Sequence, residues 1–287
     1  MEKKHEAQEV EKLQLGHYHT LTIVKEVDFG LYLDGGDEGE ILLPKRYVPE
    51  TYKVGEALRV FLYLDQEERL IATTEQPLAE EGQFAYLSCS WVNAYGAFLN
   101  WGLMKDLFCP FREQKKRMEI GQAYIVYVTV DPDSYRLMAT AKVERYFSQE
   151  KPTYQVGQEV EILVWQKTDL GFKVIVDNAY PGLVYRDQVF RPVQTGDRMK
   201  AYITQVRADG KLDVALQPTG RKQTLDFSDV LLQYLKEHEG FCHLGDRSDA
   251  EEIKRTFCVS KKVFKRAVGD LYKRRLIVLA DDGIRLS

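Results

Sequence analysis

The sequence predicts a mainly β chain with a C-terminal α/β part: three small closed β-barrels in tandem, then a domain of three helices and a hairpin. Two observations predict it. Three glycines recur at one spacing three times over, and beyond Asp226 the hydrophobic period changes from two to about 3.6 residues. Gly16, Gly30 and Gly55 are 14 and 25 residues apart, as are Gly82, Gly96 and Gly121, and again Gly157, Gly171 and Gly196. The middle glycine sits in DFGLYLD, AYGAFLN and DLGFKVI, and the third opens the strand-like runs ALRVFLYLD, QAYIVYVTVD and DRMKAYITQV. Each unit closes on a short apolar return, RLIATT, RLMATA or KLDVAL. A unit of about 60 residues is too long for a solenoid turn and sufficient for a small domain.

Within the first unit, HTLTIVKEV alternates and is rich in β-branched residues, so it reads as a strand. Gly30 breaks it, LYLD resumes, and EGEILLP makes a third strand. A turn-rich segment leads to Gly55 and ALRVFLYLD; the turn QEER then leads to LIATT. Five short strands with a longer loop between the third and fourth fit an OB-type barrel, with glycine permitting a bend or bulge in the strand. The expected organisation is a solvated tail over 1–12, barrels over 13–76, 80–147 and 153–218, and the helical domain over 225–287.

Each element of the last domain has its own signal. FSDVLLQYLKEH is an amphipathic helix with Ser228 as its expected N-cap. DRSDAEEIKRTF is a second helix, capped by Ser248 with Glu251 three positions on. VSKKVFKRAVGDLYKRRL is a third, capped by Ser260, with Val263, Phe264, Ala267, Val268 and Leu271 as its core stripe. Ile277–Leu279 and Ile284–Leu286 form a hairpin through Asp281-Asp282-Gly283. Three helices and a hairpin make a winged helix.

The candidate binding residues follow from which side chains face out. Leu31 and Leu33 share the inner face, so Tyr32 points outward, and the glycine returns Phe29 to the same side. Tyr95 and Phe98 repeat this around Gly96. Two adjacent exposed aromatics make a stacking platform for bases; the alternative is that they cap the barrel or pack against a neighbouring domain. In the third unit Leu170 and Lys173 replace the aromatics, leaving Lys173, Tyr185 and Arg186 as candidates. Arg112, Lys115, Lys116 and Arg117 lie in the long loop of the second unit. The third helix carries Lys261, Lys262, Lys265, Arg266, Lys273, Arg274 and Arg275 against the single acid Asp270. Such a helix enters the major groove in DNA readers, or contacts RNA phosphates, or is simply solvated.

The overall charge of −4 conceals a gradient. Residues 1–80 carry 9 basic and 17 acidic side chains, whereas residues 151–224 carry 11 and 8. The first unit, with Asp34, Asp37, Glu38 and Glu40 beside its aromatics, therefore repels phosphate and reads as a spacer or protein-contact module.

The pattern of Gly, an aromatic-Gly-x-aromatic 14 residues on, and a second Gly opening a strand 25 residues later resembles the S1 RNA-binding domain. PGLVYRDQV at residues 181–189 is similar to that family's Gly-Leu-Val-His segment, with Tyr185 in the histidine position. Three such units followed by a winged helix ending in LGDRSDAEEIKRTFCVSKKVFKRAVGDLYKRRLI resemble the conserved virulence factor B (CvfB) family from end to end. The resemblance implies a non-enzymatic, RNA-binding regulator of gene expression in the bacterial cytoplasm. Its expected partner is single-stranded RNA, with DNA or protein contact through the winged helix as an alternative. A protein scaffold on a ribosome or RNA polymerase is the competing class.

Other chemistry has little support. Asp28-Phe29-Gly30 spells the magnesium tripeptide of protein kinases, but the 27 preceding residues cannot hold the glycine-rich loop, lysine strand and catalytic loop that kinases need. There is no P-loop and no GxSxG. Cys89, Cys109, Cys242 and Cys258 lack metal or redox spacing and read as reduced thiols. His17 and His19 could pair on a strand, but exposed strand histidines are the simpler reading. No enzyme activity, cofactor or metal is expected. No apolar run approaches the roughly 20 residues of a membrane span, and MEKKHEAQEVEK lacks a signal-peptide core, so a cytoplasmic location is expected.

Overall fold

A computed structural model describes residues 13–189, 191–218 and 221–287. The tail expected over 1–12 lies outside the described residues. The described residues divide into two compact units, the first ending at Tyr146 and the second starting at Phe147.

The first unit holds two closed five-stranded barrels. Strands β1 (Tyr18–Val27), β2 (Gly30–Asp34), β3 (Glu40–Pro44), β4 (Ala57–Leu64) and β5 (Leu70–Thr73) close in the order 1-2-3-5-4. Strands β6 (Phe84–Val92), β7 (Gly96–Asn100), β8 (Leu107–Pro110), β9 (Ala123–Val130) and β10 (Leu137–Thr140) repeat that order. Inward residues alternate along β3 and the middle of β1, whereas β4 is buried on both faces; Ile23, Leu31, Leu33, Leu43 and Leu62 are fully buried in the first barrel. The second core gathers Leu87, Leu99, Val126 and Val128, and takes in Phe61 and Tyr63 from β4, so the two barrels share apolar packing.

The second unit opens with a third barrel of the same order: β11 (Glu159–Lys167), β12 (Gly171–Val176), β13 (Tyr180–Tyr185), β14 (Arg198–Val206) and β15 (Leu212–Ala215). The winged helix follows: α1 (Arg221–Glu237), β16 (Phe241–Cys242), α2 (Ala250–Phe257), α3 (Lys261–Lys273), β17 (Ile277–Ala280) and β18 (Gly283–Leu286). Val263, Phe264, Ala267, Val268 and Leu271 of α3 are buried against Phe227, Leu231 and Leu235 of α1, as the helical period required.

Several local expectations are corrected. Gly30 does not bend a strand. It starts β2 after the two-residue turn Asp28–Phe29, and a Cβ there would lie 2.1 Å from the Leu43 carbonyl oxygen of β3. Gly96 and Gly171 meet the same obstacle, at 2.4 Å from Cys109 O and 2.0 Å from Val184 O. The recurring glycine therefore marks close approach of second and third strands. The strand irregularity sits six residues earlier, where the pairing register shifts between Ile23 and Lys25, Cys89 and Trp91, and Val164 and Gln166.

Ser228 is not an N-cap: α1 starts at Arg221 and Ser228 is buried within it. The polar helix formers of Arg-Lys-Gln carry no apolar period, which hid the first turn. α2 is capped by Asp249, whose carboxylate accepts from Glu251 N at 2.8 Å, while Ser248 Oγ accepts from Gly245 N. A carboxylate suits the positive end of the helix. Ser260 does cap α3, accepting from Val263 N. That helix ends at Lys273, so Arg274 is its C-cap and Arg275, at φ 57°, lies beyond it.

Candidate nucleic-acid interface

The register shift in β1, β6 and β11 decides which side chains face out. One extra residue at Val24, Ser90 or Trp165 reverses the alternation that follows it. Lys25, Trp91 and Gln166 are thereby brought to the outer face, opposite Tyr32, Phe98 and Lys173 of the next strand. The row continues through Leu42, Phe108 and Leu183 to Ile71, Met138 and Asp213. Each barrel thus presents an equivalent four-strand row, and the three rows differ in chemistry.

In the second barrel the row is Trp91, Phe98, Phe108 and Met138. The Trp91 and Phe98 rings stack at 3.9 Å with planes 6° apart, and Phe108 lies 5.0 Å from Phe98. Trp91 is 45% exposed. Tyr95, 76% exposed, rides the turn before Gly96. The Asn93 carboxamide oxygen holds that turn by accepting from the Tyr95 and Gly96 amides at 2.8 and 3.0 Å. These rings open onto a cleft of about 900 Å³, lined also by Met104, Leu107 and Phe111.

The cations bordering this cleft are already engaged. Arg112 lies 3.3 Å from Asp131, and Arg136 pairs with Glu68. Lys105 donates to the Leu64 and Asp65 carbonyls, and burial lowers its pKa. The cleft therefore offers apolar and aromatic surface with neutralised charge, a place for ring systems more than for phosphates. Of the other loop candidates, Lys115 pairs with Glu144, Lys116 is exposed, and Arg117 stacks 3.4 Å above Phe111. None of these three lines the cleft as Arg112 does.

The first barrel keeps Phe29 and Tyr32 together, edge-on at 6.2 Å, with Lys25 4.8 Å over the Tyr32 ring and tied to Glu40. The third has a charged row. Lys173 lies 5.3 Å over Trp165; Arg207 binds Asp213 and donates to the Tyr185 hydroxyl at 3.0 Å; Arg186 is exposed.

On the winged helix, Lys262, Arg266 and Lys273 are exposed along one face of α3, with Gly269 between them. Lys261 is half-buried at the start of the helix. Lys265 lies 3.1 Å from Asp246 and Arg274 3.2 Å from Asp270. Arg275 is exposed beyond the helix end. The wing tip is Asp281-Asp282, and Asp282 holds Arg285 at 2.7 Å.

His17 and His19 do not converge: His17 meets Glu80 and Glu81, while His19 Nε2 lies 3.0 Å from the Gln14 backbone. Cys109 is buried and its thiol is pushed up to about 12. Among the described residues, no helix is long and apolar enough to cross a membrane.

Sequence reading missed Trp91, because simple alternation from Leu87 and Cys89 assigns it to the core.

Comparison with known proteins matches residues 15–75 to the S1 domain and residues 229–286 to the CvfB-like winged helix domain. The chain is 25% identical to the uncharacterized protein YitL of Bacillus subtilis, over 92% of this chain and 90% of that one. It is 23% identical to conserved virulence factor B of Staphylococcus aureus, over 83% and 82%. A solved multidomain protein with nucleic acid binding domains from Streptococcus pneumoniae is 23% identical, with 95% and 98% covered and a TM-score of 0.41. S1 and winged-helix domains are nucleic-acid-binding domain types. Residues 15–75 are thus similar to an S1 domain and residues 229–286 to the CvfB-like winged helix domain, and the chain is similar to YitL and conserved virulence factor B along most of its length.

Proposed function

We propose that this chain is a non-enzymatic RNA-binding regulator acting in the cytoplasm, which takes bases of single-stranded RNA into the cleft of its second barrel. One observation carries the reading: exposed Trp91 stacks on half-buried Phe98, 3.9 Å apart and nearly parallel, at the mouth of an aromatic cleft. Such a ring pair adds a base to its end with little sequence preference, and each stacked base contributes about 1–3 kcal/mol. The row Lys262, Arg266 and Lys273 on α3 supports a second, phosphate-directed contact. The acidic wing tip weighs against duplex DNA, whose backbone a wing at Asp281-Asp282 would repel.

Trp91→Ala and Phe98→Ala should each weaken binding of a short single-stranded RNA by roughly tenfold, measured by fluorescence anisotropy at low salt. Phe29→Ala, in the acidic first barrel, should change it little. Absence of any RNA binding by the unaltered protein at low salt would sink the reading and favour a protein-binding scaffold.

A further inference from the structure

The cleft beside the Trp91–Phe98 stack is not built by the second barrel alone. Tyr63 and Leu64 at the end of β4, and Gln66 in the turn that follows, form part of its wall. That turn is tied down at nearly every group. The Asp65 carboxylate accepts from the Glu67 and Arg69 amides at 2.8 and 3.0 Å, and from Arg69 Nε and Nη2 at 2.9 and 2.7 Å. Glu67 reaches Arg69 at 2.9 Å, and Glu68 pairs with Arg136 of the second barrel. Lys105 Nζ, also from the second barrel, donates to the carbonyls of Leu64 at 3.0 Å and Asp65 at 2.7 Å. The Trp101 indole N–H donates to the Lys105 carbonyl at 2.7 Å, fixing the backbone that carries this lysine.

Gln66 is the exception. It is exposed, it borders the cleft, and among the described residues its side-chain amide makes no hydrogen bond. An amide offers a donor and an acceptor side by side, and base edges display the complementary pair. Because the turn beneath it is already ordered, binding there sacrifices little backbone freedom.

We propose that Gln66 of the first barrel reads the edge of a base stacked in the cleft of the second, making this a two-barrel site with base selectivity. The inference rests on the stacking reading above. It gives the first barrel a role that its own acidic face does not suit: it supplies a wall and a specificity residue. Lys105 is then a positioning residue, acting through the turn.

Full-length protein titrated with oligo-A, oligo-C and oligo-U RNA tests this, alongside Gln66→Ala, Lys105→Met and Trp91→Ala. The unaltered protein should prefer one oligomer by about five- to tenfold, the worth of two modest hydrogen bonds. Gln66→Ala should lower affinity for that oligomer and bring the three within about twofold of each other. Lys105→Met should flatten the preference in the same way, which a merely structural lysine would not do. Should Lys105→Met fail to fold, Gln66→Ala still decides, since an exposed side chain without partners supports no packing. Equal binding of all three oligomers by the unaltered protein, or an unchanged ranking in Gln66→Ala, overturns the inference. If Trp91→Ala loses affinity while Gln66→Ala keeps its ranking, the stacking reading survives and only this one fails. If Trp91→Ala also binds as before, the stacking reading fails first.

Discussion

Gly30 and Gly269 occupy opposite environments, and the same substitution should act on them with opposite sign. At Gly30, φ is 153° and a Cβ would stand 2.1 Å from the Leu43 carbonyl oxygen. Gly30→Ala must push β2 away from β3, and should cost about 2 kcal/mol or more. Gly269 lies mid-helix on α3, where a Cβ would meet nothing within 4 Å. Gly269→Ala should stabilise the winged helix by about 1 kcal/mol through helix propensity alone. Chemical denaturation followed by circular dichroism reads both changes; a stabilised Gly30→Ala would refute the close-approach account. At this scale the spacing of the glycines was legible in the sequence, while their purpose was not. A bent strand and a close strand crossing both require glycine, and only the position of the Leu43 carbonyl separates them. Trp91 escaped for a related reason: a one-residue bulge leaves no mark on composition, yet it moves a ring from core to surface.

Among the elements, α3 divides its cations into two classes. Lys262, Arg266 and Lys273 make no ion pair among the described residues, whereas Lys265 and Arg274 are held by Asp246 and Asp270. A cation already paired gains less from a phosphate, because it must give up its partner. The double change Lys262→Ala with Arg266→Ala should therefore weaken RNA binding several-fold at low salt, and Lys265→Ala with Arg274→Ala should weaken it less. Anisotropy titrations of the two double variants decide, and equal losses would show that the pairing does not matter. The buried stripe of this helix was readable because a 3.6-residue period repeats through three turns. Its neighbours were harder. β16 is two residues long and carries no period, and it is recruited by pairing with β18. Around α2, Ser248 and Asp249 are both good caps, and only the chain path assigns one to the helix and the other to the preceding turn.

For the whole molecule, the two candidate surfaces separate by their response to salt. In the second-barrel cleft Arg112 and Arg136 already sit on carboxylates, so a base entering it displaces few counterions from the RNA. On α3 the cations face solvent, and each phosphate they neutralise should add about 0.7 to the slope of log affinity against log salt for a single strand. Stacking and charge should thus be dissected by different variants. Trp91→Ala should lower affinity by a similar factor at every salt concentration and leave the slope unchanged. Lys262→Glu with Arg266→Glu should make the slope shallower by about 1.4, with the loss greatest at low salt. Titrations at four or five salt concentrations measure both quantities on one protein. A slope that falls in Trp91→Ala would mean that the cleft ion pairs open to take phosphate, and would move the electrostatic part of binding from the winged helix to the barrel. A slope unchanged by the glutamates would leave the winged helix outside the RNA contact and available for a protein partner.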